Sequence, residues 1–589
     1  MEDGHVGNRL VLPSENPDEW ARVRKVLQLP LESLSDLDTM LTKFSALNSE
    51  PQVSTFFATV PGSSCSSARR FDFAVFLEKG APLMIAIALE MAELFHGISV
   101  PIFHTGSSFQ GNLHAELGVK HLSLSRRQCA CLLAHSFFGS LRRPPGVDPN
   151  NWRFTVKDLF VGTALSSNSA LTFLNYFNEL ASHGFPAGDV VFERRGYRAS
   201  TGPPWVWDEA KNRKPLAKVV LATGPIEQSP ADTHVEFANM FVGGGVMTGD
   251  FAMEEILFLV KPELMIAMAV QHRMPDTEAI CVTGAVQFSR TSGYGSSFEF
   301  EGGFNGDPTQ VRATDPTQSP TRVCAIDAIR GGGPALTEAA MLRDMNKARI
   351  AFDGAREVAT GHWGCGAFGN NHDLMFLKQW LAASDAGAEL LRYHDFPPGR
   401  QSHSILPVAR KLQHLTVGEL WSFLKTVTQE LLAAGSGAHK FSGRVQDLAR
   451  PRSELSVRVG AYRGRSDCTH SAGVYKPLVP SAAKVGNEPK PGGECPPHGA
   501  GVGKIGKTSP VASALVTDGP TSLGTGDSAV PTSVGACAPE SSLQGSSVLY
   551  KGQQWQCVKH TADGRLRLRS LHEDKFTWVK MGDVQMCAG

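Results

Sequence analysis

The sequence predicts an α/β protein whose sheet region follows a helical region and precedes a small β module. Three observations predict it. Between about 190 and 400, short runs rich in Val and Ile alternate with helical stretches, the pattern of a layered α/β domain. From about 70 to 188, apolar residues recur at helical spacing. After about 546, strand character returns beyond a long tract of Pro, Gly, Ser, Ala and Thr.

Taken in order, residues 1–70 read as a mixed N-terminal extension with a helix at Leu34–Leu47. Residues 70–145 read as helical, with apolar residues at helical spacing in Leu83–Phe95 and Arg127–Phe138. Arg142-Arg143-Pro144-Pro145 ends that block, and 155–185 hold another helix pair that includes Ala170–Leu180. A helical domain over 71–188 follows from this. Val190–Glu193, Lys218–Ala222, Ala279–Thr283 and Val323–Ala328 are expected strands covered on both faces. Between them, helices are expected at Glu254–Leu259, Pro262–Val270, Glu338–Phe352 and Asp373–Ala383. A last helix spans Thr416–Ala434, with Thr416 and Glu419 spaced as a capping box. This domain covers 189–445.

Residues 446–546 lack any sustained apolar period and read as a disordered linker. In 547–589, Arg565-Leu566-Arg567-Leu568-Arg569 alternates strictly, and Asp563-Gly564 before it is a hairpin turn signal. Trp555, Phe576 and Trp578 could fill the core of a small β-barrel-like module, whose size makes independent stability marginal. Arg565, Arg567 and Arg569 share one strand face: a solvated edge strand, or a contact for a polyanion.

Composition narrows the function. Lys+Arg and Asp+Glu number 57 each, so no chain-wide basic field argues for nucleic-acid binding. A polyanionic substrate has to be met locally, by backbone amides or a few cations. The 11 Cys show neither a CxxC pair nor zinc-ligand spacing, which fits buried thiols in a reducing compartment, nucleus or cytoplasm. The polar, acidic start is unlike a signal peptide. Leu83–Phe95 is short and holds Glu90 and Glu93, so a buried helix is expected there and not a membrane span.

One constellation carries chemistry. Val235–Val242 runs into Gly243-Gly244-Gly245, and consecutive glycines make sense where backbone must approach a ligand closely. Amides in such a loop can bind a pyrophosphate. Alone the triplet says little, and Gly331-Gly332-Gly333 reads simply as a loop before Pro334. After seven residues, however, come Met253-Glu254-Glu255 and the apolar run Ile256–Val260. Adjacent Glu on a helix are ordinarily solvated. Here the flanking run is too apolar for a solvent-facing helix, so at least one Glu is half-buried. Burial and a neighbouring carboxylate both raise a Glu pKa, which suits a general acid acting on a glycosidic oxygen.

Glu236–Glu255 resembles the signature of the poly(ADP-ribose) glycohydrolase family, a Gly triplet followed by Gln-Glu-Glu. Thr223-Gly224-Pro225-Ile226-Glu227 is similar to the family's adenine-pocket segment, and Val282–Gly284 through Thr291–Tyr294 to the segment with its adenine-stacking Tyr. Ala359–Gly369 is similar to its second phosphate loop, and Ser125–Phe138 to a helix of its accessory domain. The resemblance spans about residues 80–400. It implies a macrodomain, a three-layer α/β/α sandwich, behind a helical accessory domain, and hydrolysis of the ribose–ribose bonds of poly(ADP-ribose) with release of ADP-ribose. It implies Glu255 as acid/base, Glu254 on ribose hydroxyls, and Glu236 where the family usually has Asp. It places Asn239 on the scissile ribose, Gly243, Gly244 and Gly245 with Gly364, Cys365, Gly366 and Ala367 on the two phosphates, and Trp363 beside them. Tyr294 would stack on adenine, Ile226 and Glu227 would border it, and Phe368 would shape the ribose site.

Two residues depart from the family: Met253 stands for its Gln, and His362 for its usual Asn. His362 could transfer protons or simply be a satisfied polar residue. One lost neutral hydrogen bond costs roughly 1 kcal/mol, about fivefold in binding. An aromatic placed late in the family's domain corresponds to Phe396 or Tyr393. Asp327, after an apolar strand, reads as a cap or a loop-orienting group. No metal or organic cofactor is needed for carboxylate-driven hydrolysis. The expected partners are poly(ADP-ribose) and ADP-ribosylated proteins, without membrane or sequence-specific nucleic-acid binding, and a monomer is expected. The rival readings are a non-catalytic ADP-ribose reader and a hydrolase of mono-ADP-ribosylated protein.

Overall fold

The structure, a computed structural model, describes residues 9–48, 54–60, 66–104, 117–145, 147, 152–160, 164–200, 202–249, 251–304, 321–395, 405–435, 437, 440–448, 547–550, 553–560, 565–570, 576–580 and 585–586. Phe396, the Asp563-Gly564 turn and the expected linker beyond residue 448 lie outside them. The chain divides into two compact units, Met1–Ser471 and Ala472–Gly589.

The first unit is organised by an eight-stranded sheet in the order β1-β2-β5-β8-β4-β9-β10-β3. Its strands are β1 (Gly118–Leu124), β2 (Val190–Gly196), β3 (Lys218–Ala222), β4 (Thr233–Phe237), β5 (Glu278–Thr283), β8 (Arg322–Ile326), β9 (Glu357–Thr360) and β10 (Leu390–His394). A separate hairpin pairs β6 (Ser289–Ser292) with β7 (Glu299–Gly303). β8, β4, β9, β10 and β3 run parallel, while β5, β2 and β1 continue the sheet antiparallel.

Strand periodicity divides the core in two. Ile280, Val282, Val323 and Ala325 join one cluster with the helices before residue 184 and the Met253–Val270 segment. Ala279, Cys281, Cys324 and Ile326 join the other, with helices Glu338–Phe352, His372–Ala386 and Val417–Ala433. The result is three layers. The first cluster is continuous from Leu10 to Ala325, so the N-terminal helices and the sheet share one core. A buried Arg126–Glu263 ion pair stitches helix Arg126–Phe138 to the Pro262–Ile266 turn, and Arg126 Nη2 also donates to Gly284 O at 2.6 Å.

Helix Leu34–Leu47 forms as the sequence expects. The Thr416 cap forms too: the Thr416 amide donates to Glu419 Oε2 at 2.8 Å. Other expectations need correction. Residues 118–124, inside a stretch read as helical, form the edge strand β1, where Lys120 and His121 find room. Lys218–Ala222 is not covered on both faces, because β3 is the opposite edge and is part-exposed. Asp327 caps nothing. It pairs with Lys347 and, at 2.5 Å, with Arg343, anchoring the loop after β8 to helix Glu338–Phe352. Tyr393 is fully buried in the second cluster, so it is unavailable to stack on a ligand.

The second unit is an antiparallel sheet, β14-β13-β12-β11-β15, of strands β11 (Ser547–Tyr550), β12 (Gln553–His560), β13 (Arg565–Ser570), β14 (Phe576–Lys580) and β15 (Gln585–Met586). The arginine-bearing β13 lies between β12 and β14 and is not an edge strand. No pairing closes this sheet into a barrel among the described residues. No helix of the described residues is long and apolar enough to cross a membrane.

Candidate active site

The five parallel strands end at one edge, where open α/β sheets place their ligand crevices. Ile226-Glu227 follow β3, Asn239 and the Gly triplet follow β4, Asp327–Gly331 follow β8, the 361–369 loop follows β9, and Asp395 follows β10. The Gly364 and Asn370 backbones close one loop through a bond of 3.1 Å.

Gly243–Gly245 is built around two carboxylates. Glu254 Oε2 accepts from the Asn239 amide at 2.8 Å and Oε1 from the Gly243 amide at 2.7 Å. Glu255 Oε1 accepts from the Gly245 amide at 2.8 Å and Oε2 from the Ala252 amide at 3.0 Å. Both Glu are buried in the first turn of helix Met253–Val260, which Leu257, Phe258 and Leu259 anchor in the core. The helix dipole favours negative charge there. Gly244 has φ +51°, and a Cβ at that position would collide with the Glu255 carboxylate and come within 2.7 Å of Glu254 Oε2. A side chain at Gly243, φ +91°, would strike Met268. Gly244 is therefore required by the close approach of the two carboxylates, and Gly243 by the Met268 side chain. The Gly244 amide donates to Phe241 O at 3.2 Å, so all three triplet amides are spent inside the protein and none is left to grip a phosphate.

Glu236 projects from β4 into the same region. It is fully buried, and neither oxygen meets a hydrogen-bond donor in good geometry. Burial first, then the Glu255 and Glu227 charges, hold its carboxyl well above the usual range. Burial, Glu236 and Glu255 likewise push Glu254 up, against the pull of the Asn239 and Gly243 amides. Like charges crowded among buried groups cannot all ionise, so this group retains protons that bulk water would remove.

The second loop is different. The amides of Gly366, Ala367 and Phe368 donate to no group among the described residues, and Gly366 and Ala367 are exposed. Consecutive free amides form an anion-binding concavity. The loop is braced beneath: Trp363 is buried and its Nε1 donates to Ile326 O at 2.9 Å, while Asn370 Nδ2 donates to Ile329 O at 2.6 Å. Gly331, read as mere loop, packs its backbone on Gly369 and donates to Phe368 O at 2.7 Å. Cys365 is part-buried, and burial pushes its thiol up to about 12.

Around the crevice, Ile226 packs with Ala231, Ala359, Phe237 and Met253, and burial raises the carboxyl of the neighbouring Glu227. Tyr294 is 55% exposed, with its hydroxyl on the Met253 backbone and within electrostatic reach of Glu255. Asn239 is exposed at the end of β4, and its Oδ1 accepts from the Phe241 amide at 3.0 Å.

Residues that sequence reasoning missed surround His362. Its Nε2 lies 3.3 Å from Asp395 Oδ1, and its ring meets His372 edge-on with centroids 4.4 Å apart. Burial lowers the pKa of His362 against the pull of Asp395. It takes His372 down to about 4, helped by His362. Both rings are therefore neutral near pH 7. The position of Asp395 just past a parallel strand was the available signal. Among the described residues no His, Cys, Asp and Glu group could hold a metal ion.

A loop of free amides and a set of buried carboxylates, at the carboxyl edge of a three-layer sheet, are the arrangement of a macrodomain. A family model described as poly(ADP-ribose) glycohydrolase, macro domain fold, matches residues 206–401, and the helical-domain model of the same family matches 71–194. The chain belongs to the poly(ADP-ribose) glycohydrolase family. It is 29% identical over 391 residues to a probable poly(ADP-ribose) glycohydrolase 2 of Arabidopsis thaliana, covering 55% of this chain and 73% of that one. It is 30% identical over 288 residues to poly(ADP-ribose) glycohydrolase 1 of Caenorhabditis elegans, covering 46% and 36%. A partial overlay, with TM-score 0.21 and 18% identity, relates it to a poly(ADP-ribose) glycohydrolase from Deinococcus radiodurans in complex with ADP-ribose, covering 34% and 86%.

Proposed function

We infer that the chain is a poly(ADP-ribose) glycohydrolase, hydrolysing the ribose–ribose O-glycosidic bonds of poly(ADP-ribose) and releasing ADP-ribose. The observation that carries this reading is Glu255, held by the Gly245 and Ala252 amides beside further buried acids. In this reading a protonated Glu255 gives its proton to the leaving ribose oxygen as the C–O bond breaks and an oxocarbenium-like centre develops. The resulting carboxylate then takes a proton from the water that adds to that centre. Glu254 fixes the Gly triplet and, through its second lone pairs, takes ribose hydroxyls; Glu236 helps keep a proton in the group.

The diphosphate belongs on the Gly366–Phe368 amides, with Gly364 and Cys365 shaping that turn. Tyr294 stacks on adenine bordered by Ile226 and Glu227, Asn239 meets the scissile ribose, and Phe368 shapes the ribose site. Residues 71–188 brace the sheet, and 189–445 carry the site. ADP-ribosylated proteins bearing the polymer are the partners. The free thiols of Cys129, Cys131, Cys281, Cys324 and Cys365 suit a reducing compartment, nucleus or cytoplasm.

The test is incubation of the full chain with automodified, labelled poly(ADP-ribose) and, separately, with a mono-ADP-ribosylated protein. Release of ADP-ribose from the polymer, with the protein-linked unit left behind, is expected. Binding without release identifies a reader. Release from the mono-modified protein at a matching rate identifies the other hydrolase class.

A further inference from the structure

With no net charge to draw in a polyanion, the crevice adds a local obstacle. Glu236 lies within electrostatic reach of Glu227, Glu254 and Glu255, and whichever of these carboxyls ionises repels the diphosphate that every substrate unit brings. Something at the rim has to offset this repulsion. Two arginines stand there in the same arrangement. Arg153, from the helical region, lies 4.8 Å over the Phe241 ring, and its Nη1 donates to Gly244 O at 3.3 Å. Arg330, from the loop after β8, lies 5.2 Å over the ring of Phe368, whose amide is one of the free donors. Among the described residues neither guanidinium is paired with a carboxylate. Stacking on a ring fixes the plane of a guanidinium and leaves its N–H edge to bind phosphate in a fork.

We propose that Arg153 and Arg330 form two polymer-binding subsites, one on each rim, taking the diphosphates of the ADP-ribose units that flank the one being cleaved. The inference rests on the glycohydrolase reading. It gives the N-terminal helical region a direct part in substrate binding, and it makes chain length a determinant of affinity.

The test uses the full chain carrying Glu255→Gln, so that polymer survives the measurement. Its affinity is measured for ADP-ribose and for labelled poly(ADP-ribose) of graded length, with and without R330A, R153A and both. Each single change is expected to lower the ratio of polymer to ADP-ribose affinity about tenfold. Each should also make the salt dependence of polymer binding shallower by about one phosphate contact. R330K should recover part of the loss, since it keeps the charge without the fork. Equal loss for both ligands would mark the arginines as struts of their loops and overturn the inference, and so would no loss for either. If the chain with both arginines intact binds neither ligand, the glycohydrolase reading itself falls.

Discussion

The two glycine loops at the crevice do opposite things with their amides. Gly243–Gly245 turns its amides inward, two onto Glu254 and Glu255 and the third onto Phe241 O, and so holds acids in place. Gly366–Phe368 leaves its amides open and is held from below by Trp363, Asn370 and Gly331. The lesson is that a run of glycines does not by itself mean a phosphate cradle. The same backbone freedom can serve a buried carboxylate, and which it serves depends on what the fold brings beneath it.

The comparison can be broken with single substitutions. The largest effect is expected from Gly244→Ala. Its Cβ enters the space of both carboxylates at a left-handed φ, so kcat should fall by about two orders of magnitude or more, with ADP-ribose binding by the other loop changed much less. Comparable loss of binding and turnover would mean that the triplet also grips substrate. Glu236→Gln comes next and is read as melting temperature against pH. Burial raises the folded pKa of Glu236, so its ionisation opposes folding once pH rises above the unfolded value. The variant should be more stable than the parent by a margin that widens as pH rises above the unfolded value. A pH-independent difference would show that Glu236 does not titrate with the group. Met253→Gln restores an amide beside the acids and should tighten ADP-ribose binding about fivefold, measured by calorimetry. The smallest effect belongs to Gly366→Ala, whose Cβ meets nothing within 4 Å. Activity within about twofold is expected, because the amide remains.

The same contrast explains what was legible in the sequence. β5 and β8 stood out because each is a short continuous apolar run buried on both faces, and the Val417–Ala433 helix because Thr416 and Glu419 are local signals. β4 did not stand out, since His234 and Glu236 interrupt its apolar run. A central strand that carries a buried acid breaks its own pattern, which is where function overrides local consistency. The inward use of the triplet amides was hidden because it depends on helix Met253–Val260 folding back under the loop. The His362, His372 and Asp395 group was hidden because three separate segments build it. The Glu254-Glu255 pair stood out through spacing and an apolar flank, both of which are local, and the family resemblance singled out Glu255 of the two.

The central claim is that Glu255, positioned by the Gly245 and Ala252 amides, moves the proton. Its direct measurement is the rate of ADP-ribose release from labelled poly(ADP-ribose) by the parent chain and by Glu255→Gln, alongside ADP-ribose affinity for each. A drop in rate of about 10²–10⁴-fold with affinity retained is the predicted result. Equal rates for the two chains would contradict it.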